Sequence, residues 1–185
     1  MVQAGNGEVH RGALLDQDAV RFFASDIYPI LARRRPGVKL RVTGRTAGVD
    51  LGGVADCAGV EFTGYVEDIR TVLSRSAVCV VPLREGGGSR LKILEAMAAG
   101  VPVVSTSVGV EGIEAESGRH LLVADTPSDL ADAVERVLSD HELASRLSRE
   151  ARDLVERRYD WSSIGEGFVG VVESVAKTGA CCGKR

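Results

Sequence analysis

Residues of the kinds that usually carry chemistry are scarce in this chain, which has three histidines, four cysteines, one Trp, three Tyr and four Phe in 185 residues. His10, His120 and His141 have no Ser, Cys or paired carboxylate at a spacing that would build a nucleophilic or metal centre, so all three read as surface or loop residues. Cys57 stands alone, Cys79 sits in an apolar run, and adjacent Cys181 and Cys182 lie in a polar tail without partner histidines. That pattern makes neither a zinc site nor a disulfide framework, and a reduced, cytoplasmic setting is the economical expectation. Long apolar runs are lacking too, which excludes a bilayer-spanning helix, and the start shows no charged segment followed by an apolar one, which argues against secretion. A formal net charge of −3 and a pI near 5.7 offer no positive field for nucleic acid. The basic run Arg33-Arg34-Arg35 reads as a solvated helix end before the Pro36-Gly37 stop.

Glycine and aliphatic residues are abundant. With 22 glycines and 44% hydrophobic residues the chain is expected to form one domain over residues 1–185, able to bury a core without cross-links. Residues 1 to about 15 and about 178 to 185 read as poorly ordered on composition. Between them, short β-branched runs alternate with helical patterns. Asp18 to Arg34 places Val20, Phe23, Ile27, Ile30 and Leu31 at helical spacing, and Lys39 to Thr43 alternates as a strand. Val60 to Thr63 is a second strand, Glu67 to Ser74 a helix, and Val78 to Pro82 a strand apolar on both sides, hence covered on both faces. Val101 to Ser105 and Leu121 to Ala124 are further strands, separated by a glycine-rich turn through Gly109 and Gly112. Thr126, with Ser128 or Asp129, caps a helix to Leu138, and helices over Glu142–Arg157 and Ser162–Lys177 close the chain. The alternation predicts an α/β, Rossmann-like parallel sheet with helices on both faces, whose ligands bind beyond the carboxyl ends of the strands.

One loop lies at that edge. Gly86 to Gly100 reads GGGSRLKILEAMAAG: glycines lead through Ser89 into an amphipathic helix with Arg90 and Lys92 in its first turn and Glu95 one turn deeper. Glycines admit close approach of a ligand to the backbone, and the free amides and positive dipole end of a helix start favour an anion, here a phosphate. Two cations in a first turn oppose the macrodipole, a local misfit that points to function. Lys92 either neutralises that anion or pairs weakly with Glu95 at i,i+3, and Arg90 either faces the anion or leaves the turn on the opposite side.

The stretch FTGYVEDIRTVLSRSAVCVVPLREGGGSRLKILEAMAAGVPVVSTSVGVEGI, from Phe62 to Ile113, resembles the donor-binding half of group 1 glycosyltransferases, which have a two-domain B-type fold. Strand, glycine loop, LEAMA helix and PVVST strand occur in order and at the family's spacing. The likeness continues more loosely through HLLVADTPSDLADAVERVLSD and RYDW, and back to about Asp18. The resemblance implies the C-terminal half of such an enzyme, with a nucleoside diphosphate sugar across the carboxyl edge of the sheet. The amides of Gly86, Gly87, Gly88 and Ser89 would cradle the diphosphate, and Lys92 and Arg90, the candidate catalytic residues, would neutralise charge as the sugar leaves. Glu95 matches the family glutamate that accepts hydrogen bonds from the ribose hydroxyls. The base would lie near Gly64-Tyr65-Val66, where Tyr65 either stacks on it or packs locally, with Val66 beside it. Gly109 and Gly112 would keep the backbone close to the phosphates, a role that competes with plain turn geometry.

Two departures from the family pattern stand out. The glutamate that often contacts the transferred sugar, eight positions before Glu95, is replaced by Gly87, with Glu85 two positions away; backbone amides or Glu85 are left to make that contact. In place of the family's first glycine turn with its phosphate-binding cation, the chain offers AGNGEVHRG at Ala4–Gly12, with Arg11 and Arg45 as weaker candidates. No metal and no cofactor beyond the donor substrate are expected, since the cationic helix start supplies the positive charge. The missing partner is the N-terminal acceptor-binding domain; the last helix would then expose an apolar face, and peripheral membrane association of the whole enzyme stays open. A sugar-nucleotide epimerase-like enzyme and a non-catalytic nucleotide-binding module of the same fold are the alternatives.

Overall fold

The computed structural model describes residues 2–4, 17–44, 59–86 and 90–179. Two three-stranded sheets carry the fold. In the first, β1 (Val2–Ala4) pairs antiparallel with β2 (Val38–Thr43), which runs parallel to β3 (Val60–Gly64). In the second, β4 (Cys79–Val81), β5 (Val103–Ser105) and β6 (Leu122–Val123) are all parallel. Cys79, Val80 and Val81 are buried, as are Val103, Val104 and Ser105, so β4 and β5 have no solvent face, as a parallel sheet between helical layers requires. β2 and β4 meet across a small apolar groove lined by Ala19, Val20, Phe23, Leu40, Val42, Val80 and Pro82. The expected parallel α/β architecture is present, with two differences: the sheet is in two parts among the described residues, and β1, which composition did not signal, is antiparallel.

The predicted helix over Asp18–Arg34 is split into α1 (Gln17–Phe22), a π-helical turn (Phe23–Ile27) and α2 (Tyr28–Arg34). Pro29 at the start of α2 explains the break in the regular ladder, because it has no N–H to continue it. The predicted Glu67–Ser74 helix shrinks to α3 (Arg70–Leu73). Asp68 causes this: its carboxylate accepts from the Arg70 backbone N–H at 3.0 Å, a local turn that competes with the helix and leaves Glu67–Ile69 as loop.

α4 (Leu91–Ala98) buries Ile93, Ala96 and Met97 at helical spacing against β4 and β5. It ends in a Schellman motif: Gly100 takes φ +71°, its N–H donates to Met97 O at 3.0 Å, and Val101 N–H donates to Ala96 O at 2.9 Å. The predicted glycine-rich turn contains a further one-turn helix, α5 (Ser107–Val110), capped by the Thr106 side chain accepting from the Gly109 N–H. α6 (Pro127–Ser139) starts at the predicted cap, Thr126, which accepts from Asp129 N–H at 3.2 Å. α7 (His141–Arg158) is capped by Asp140 and packs on α4 and α6.

Two polar readings change. Arg34 and Arg35 do more than sit in solvent: Arg34 pairs with Asp132, and Arg35 bonds Glu135 at 2.9 Å and Ser139 at 2.7 Å, clamping the end of α2 to α6. Those partners lie about a hundred residues downstream, beyond any local pattern. Because Arg35 is partly exposed, Arg35→Ala should cost no more than about 1 kcal/mol, read as a small fall in the urea midpoint at constant m-value. His120, expected at the surface or in a loop, lies in the turn before β6 but is buried; its Nδ1 accepts from the Glu116 N–H at 2.9 Å and so closes that turn. Burial, with Arg119 nearby, holds its pKa below the usual histidine value.

α8 (Trp161–Gly179) leaves the body after α7. Trp161, Ile164, Phe168, Val171 and Val175 recur on it at alternating spacings of three and four, and all are exposed, the apolar face expected for the last helix. Among the described residues no helix is long and apolar enough to cross a membrane.

Candidate functional site at the carboxyl edge of the second sheet

The loops that follow β3, β4, β5 and β6 form the site, and hydrogen bonds tie three of them together. The Thr106 hydroxyl, just past β5, donates to Leu83 O, just past β4, and Ser105 Oγ donates to Val81 O at 3.2 Å. Ser107 N–H and Oγ donate to the Asp125 carboxylate, just past β6, at 2.8 and 2.9 Å. These short polar residues end their strands and turn their side chains onto neighbouring main chain, which makes a rigid rim. Sequence reading missed Thr106 and Asp125, whose partners are set by strand order.

Of the predicted diphosphate cradle, Gly86 is described and takes φ +112°, a conformation that favours glycine; Gly87, Gly88 and Ser89 lie outside the described residues, as do Arg11 and Arg45. Arg90 occupies the N-cap position of α4 and turns inward. Its side chain is 7% exposed, Nη2 donates to Gly86 O at 3.0 Å, and the Glu111 carboxylate lies 3.5 Å away. The guanidinium therefore holds its own loop and bridges it to the loop after α5. Lys92 is half-buried on the first turn of α4.

Glu95 stands one turn further, on the wall of a cleft of about 380 Å³ that it shares with Glu67, Asp68, Ile69, Arg70, Leu73, Ala98 and Ala99. The structure thus brings Glu95 and the loop after β3 to one cleft. Although the side chain is open to that cleft, surrounding protein desolvates the carboxyl and raises its pKa above the ordinary glutamate value. Tyr65, two residues before Glu67, is 72% exposed, so its ring serves no core, and Val66 is half-buried.

Gly109 is buried inside α5, and a Cβ there would lie 2.3 Å from Ser105 Oγ and 2.8 Å from Val81 O. Close packing of α5 on β4 and β5 therefore accounts for this glycine. Gly112 has φ +80° with open space around it, so backbone conformation accounts for that one.

Arg84, also unpredicted, pairs with Asp18 of α1 (Nε to Oδ2, 2.9 Å) and stacks over Phe22 at 4.6 Å, bracing the loop after β4 from the other side. Asp18 belongs to the one Asp-x-Asp spacing in the chain, Asp16-Gln17-Asp18, and its carboxylate is engaged by Arg84.

The family model for group 1 glycosyl transferases matches residues 9–140. The chain belongs to that family. Phosphatidyl-myo-inositol mannosyltransferase of Mycobacterium tuberculosis is 33% identical over 165 residues, which are 84% of this chain and 43% of that protein. The chain thus spans about two fifths of the length of that relative. Among solved structures, the C-terminal domain of a group 1 glycosyl transferase from Francisella tularensis, LpcC, superposes with a TM-score of 0.71 at 18% identity, covering 86% of this chain and 88% of that one. TarM from S. aureus, solved with UDP among its ligands, superposes with a TM-score of 0.76 at 18% identity, covering 91% of this chain and 36% of that one. The fold is therefore that of the B-type glycosyltransferases.

Proposed function

We propose that this chain is the donor-binding half of a glycosyltransferase that moves a sugar from a nucleoside diphosphate to an acceptor hydroxyl. Family membership supports the transferase reading, and TarM, similar in fold, was solved with UDP. The observation that carries the assignment of the site is the position of Glu95: a carboxyl in a cleft shared with the loop after β3, one turn above the start of α4. A ribose with two hydroxyls fits a group with two acceptor oxygens, the base then reaches Tyr65 and Val66, and the diphosphate reaches the first turn of α4.

In this reading Lys92 and the amides of residues 86–89 stabilise the departing diphosphate, and one well-placed donor of that kind is worth about 2.7 to 4 kcal/mol. Arg90 contributes its field and the shape of the loop. Gly109 acts by letting α5 sit close, which brings the loop after β5 to the diphosphate side of the rim. Neither a metal nor a cofactor is needed besides the donor. The acceptor and any general base belong to the remaining part of the enzyme, and the apolar face of α8 fits contact with it. A cytoplasmic setting agrees with a cysteine pattern that makes neither a zinc site nor a disulfide framework.

A thermal-shift panel of UDP, GDP and ADP with their sugar conjugates tests the reading. A ligand held at 100 times its dissociation constant should add about 2.7 kcal/mol of stability and raise Tm visibly. No shift with any of them at millimolar concentration would overturn it.

A further inference from the structure

We infer that Glu111 is the side chain that recognises the transferred sugar, with Arg90 as the positioning residue that aims it. This rests on the donor-binding reading above and adds a residue to it. A sugar leaving a diphosphate at the start of α4 has its hydroxyls at the rim formed by the loops after β4 and α5. Carboxylates are the natural acceptors for such hydroxyls, because both oxygens can each take a bond. Two carboxylates stand at this rim, Glu85 on the first loop and Glu111 on the second.

Their surroundings differ. Glu85 is exposed and makes no hydrogen bond or ion pair among the described residues. Glu111 is 74% exposed, so one oxygen is free to bind, while its Oε2 lies 3.5 Å from the Nη2 of an arginine that is itself 93% buried (7% exposed). That arginine is fixed in turn by its bond to Gly86 O at 3.0 Å. Glu111 also caps the C-terminal end of α5 with extended backbone (φ −51°, ψ 132°), and Gly112 at φ +80° turns the chain away behind it. The carboxylate is therefore presented from a packed element and held by a buried cation, the preorganisation a specificity contact needs. A carboxylate near a diphosphate repels it, so Glu111 gains its place through the sugar and not through the nucleotide.

The test is a calorimetric comparison of wild type, Glu111→Gln and Glu85→Gln, each titrated with UDP, UDP-glucose, GDP and GDP-mannose, with melting curves to verify folding. The quantity read is the ratio of dissociation constants for nucleotide and nucleotide sugar of the pair that wild type binds. Glu111→Gln should shift that ratio against the sugar conjugate by about five-fold, the loss of roughly one hydrogen bond, while the free nucleotide binds as well or better. Glu85→Gln should leave the ratio where it is. An unchanged ratio in Glu111→Gln, or equal weakening of nucleotide and conjugate, overturns the sugar contact and leaves the donor site standing. If wild type binds none of the four ligands, and neither ADP nor its sugar conjugates, the donor reading itself falls, and this inference with it.

Discussion

Gly109→Val should lower the stability of the folded chain by about 3 kcal/mol, the upper part of the usual range for forced overpacking. The first added carbon already meets Ser105 Oγ at 2.3 Å, Val81 O at 2.8 Å and Thr106 Oγ1 at 3.1 Å. None of these can yield cheaply. Val81 O is main chain of a fully buried strand and accepts from Ser105 Oγ and Thr106 N–H, each at 3.2 Å. Thr106 Oγ1 accepts from Gly109 N–H at 3.0 Å and donates to Leu83 O, so moving it uncaps α5 and loosens the loop after β4. Relief must come from α5 lifting off the sheet, which carries Glu111 and Ser107 with it. Urea unfolding should show a lower midpoint, and nucleotide binding should weaken in the same variant. Gly112→Ala offers the contrast: space is open there and only the positive φ opposes a side chain, so about 1 kcal/mol is lost. A Gly109→Val protein that melts with wild type would show that α5 is not packed as described.

That pair of glycines also shows what a sequence can carry. Spacing placed both in a turn, which the family resemblance puts beside the phosphates, but neither could separate a residue needed for its φ from one needed for its lack of Cβ, since the second depends on a strand nearly thirty positions earlier. Elements with a local cause were legible: the β4 to β5 unit from its continuous apolar runs and α6 from Thr126. Helix length failed where a side chain competed with the backbone, as Asp68 does before α3. Glu95 was singled out by the family resemblance and because a carboxylate opens an otherwise small and apolar run. Glu111 was not, because its partner Arg90 lies 21 positions away and is reached only through the parallel pairing of β4 with β5. The same limit hid Arg35–Glu135 and Arg84–Asp18, whose members meet across elements.

Glu95→Ala should weaken nucleoside diphosphate binding by about 1.5 to 3 kcal/mol, the worth of a hydrogen bond to a charged group. In a titration that is a rise of about ten- to a hundred-fold in Kd. The unliganded protein should respond in the opposite sense. Desolvation raises the Glu95 pKa above its ordinary value of 4.5, so the folded chain binds that proton more readily than the unfolded chain does. Stability must then fall as pH rises from the ordinary value through the raised one, and the cost of the partly desolvated charge is present in full above both. Glu95→Gln removes the charge and keeps the shape. It should therefore melt slightly above wild type at pH 7, with the gap closing at pH values below the ordinary glutamate pKa, while still binding nucleotide less tightly. Gain in stability with loss of binding would mark Glu95 as a charge the fold tolerates for its ligand. If Glu95→Gln bound UDP and GDP as wild type does, the carboxylate would have no ribose to hold, and the cleft beside the loop after β3 would have to serve another ligand.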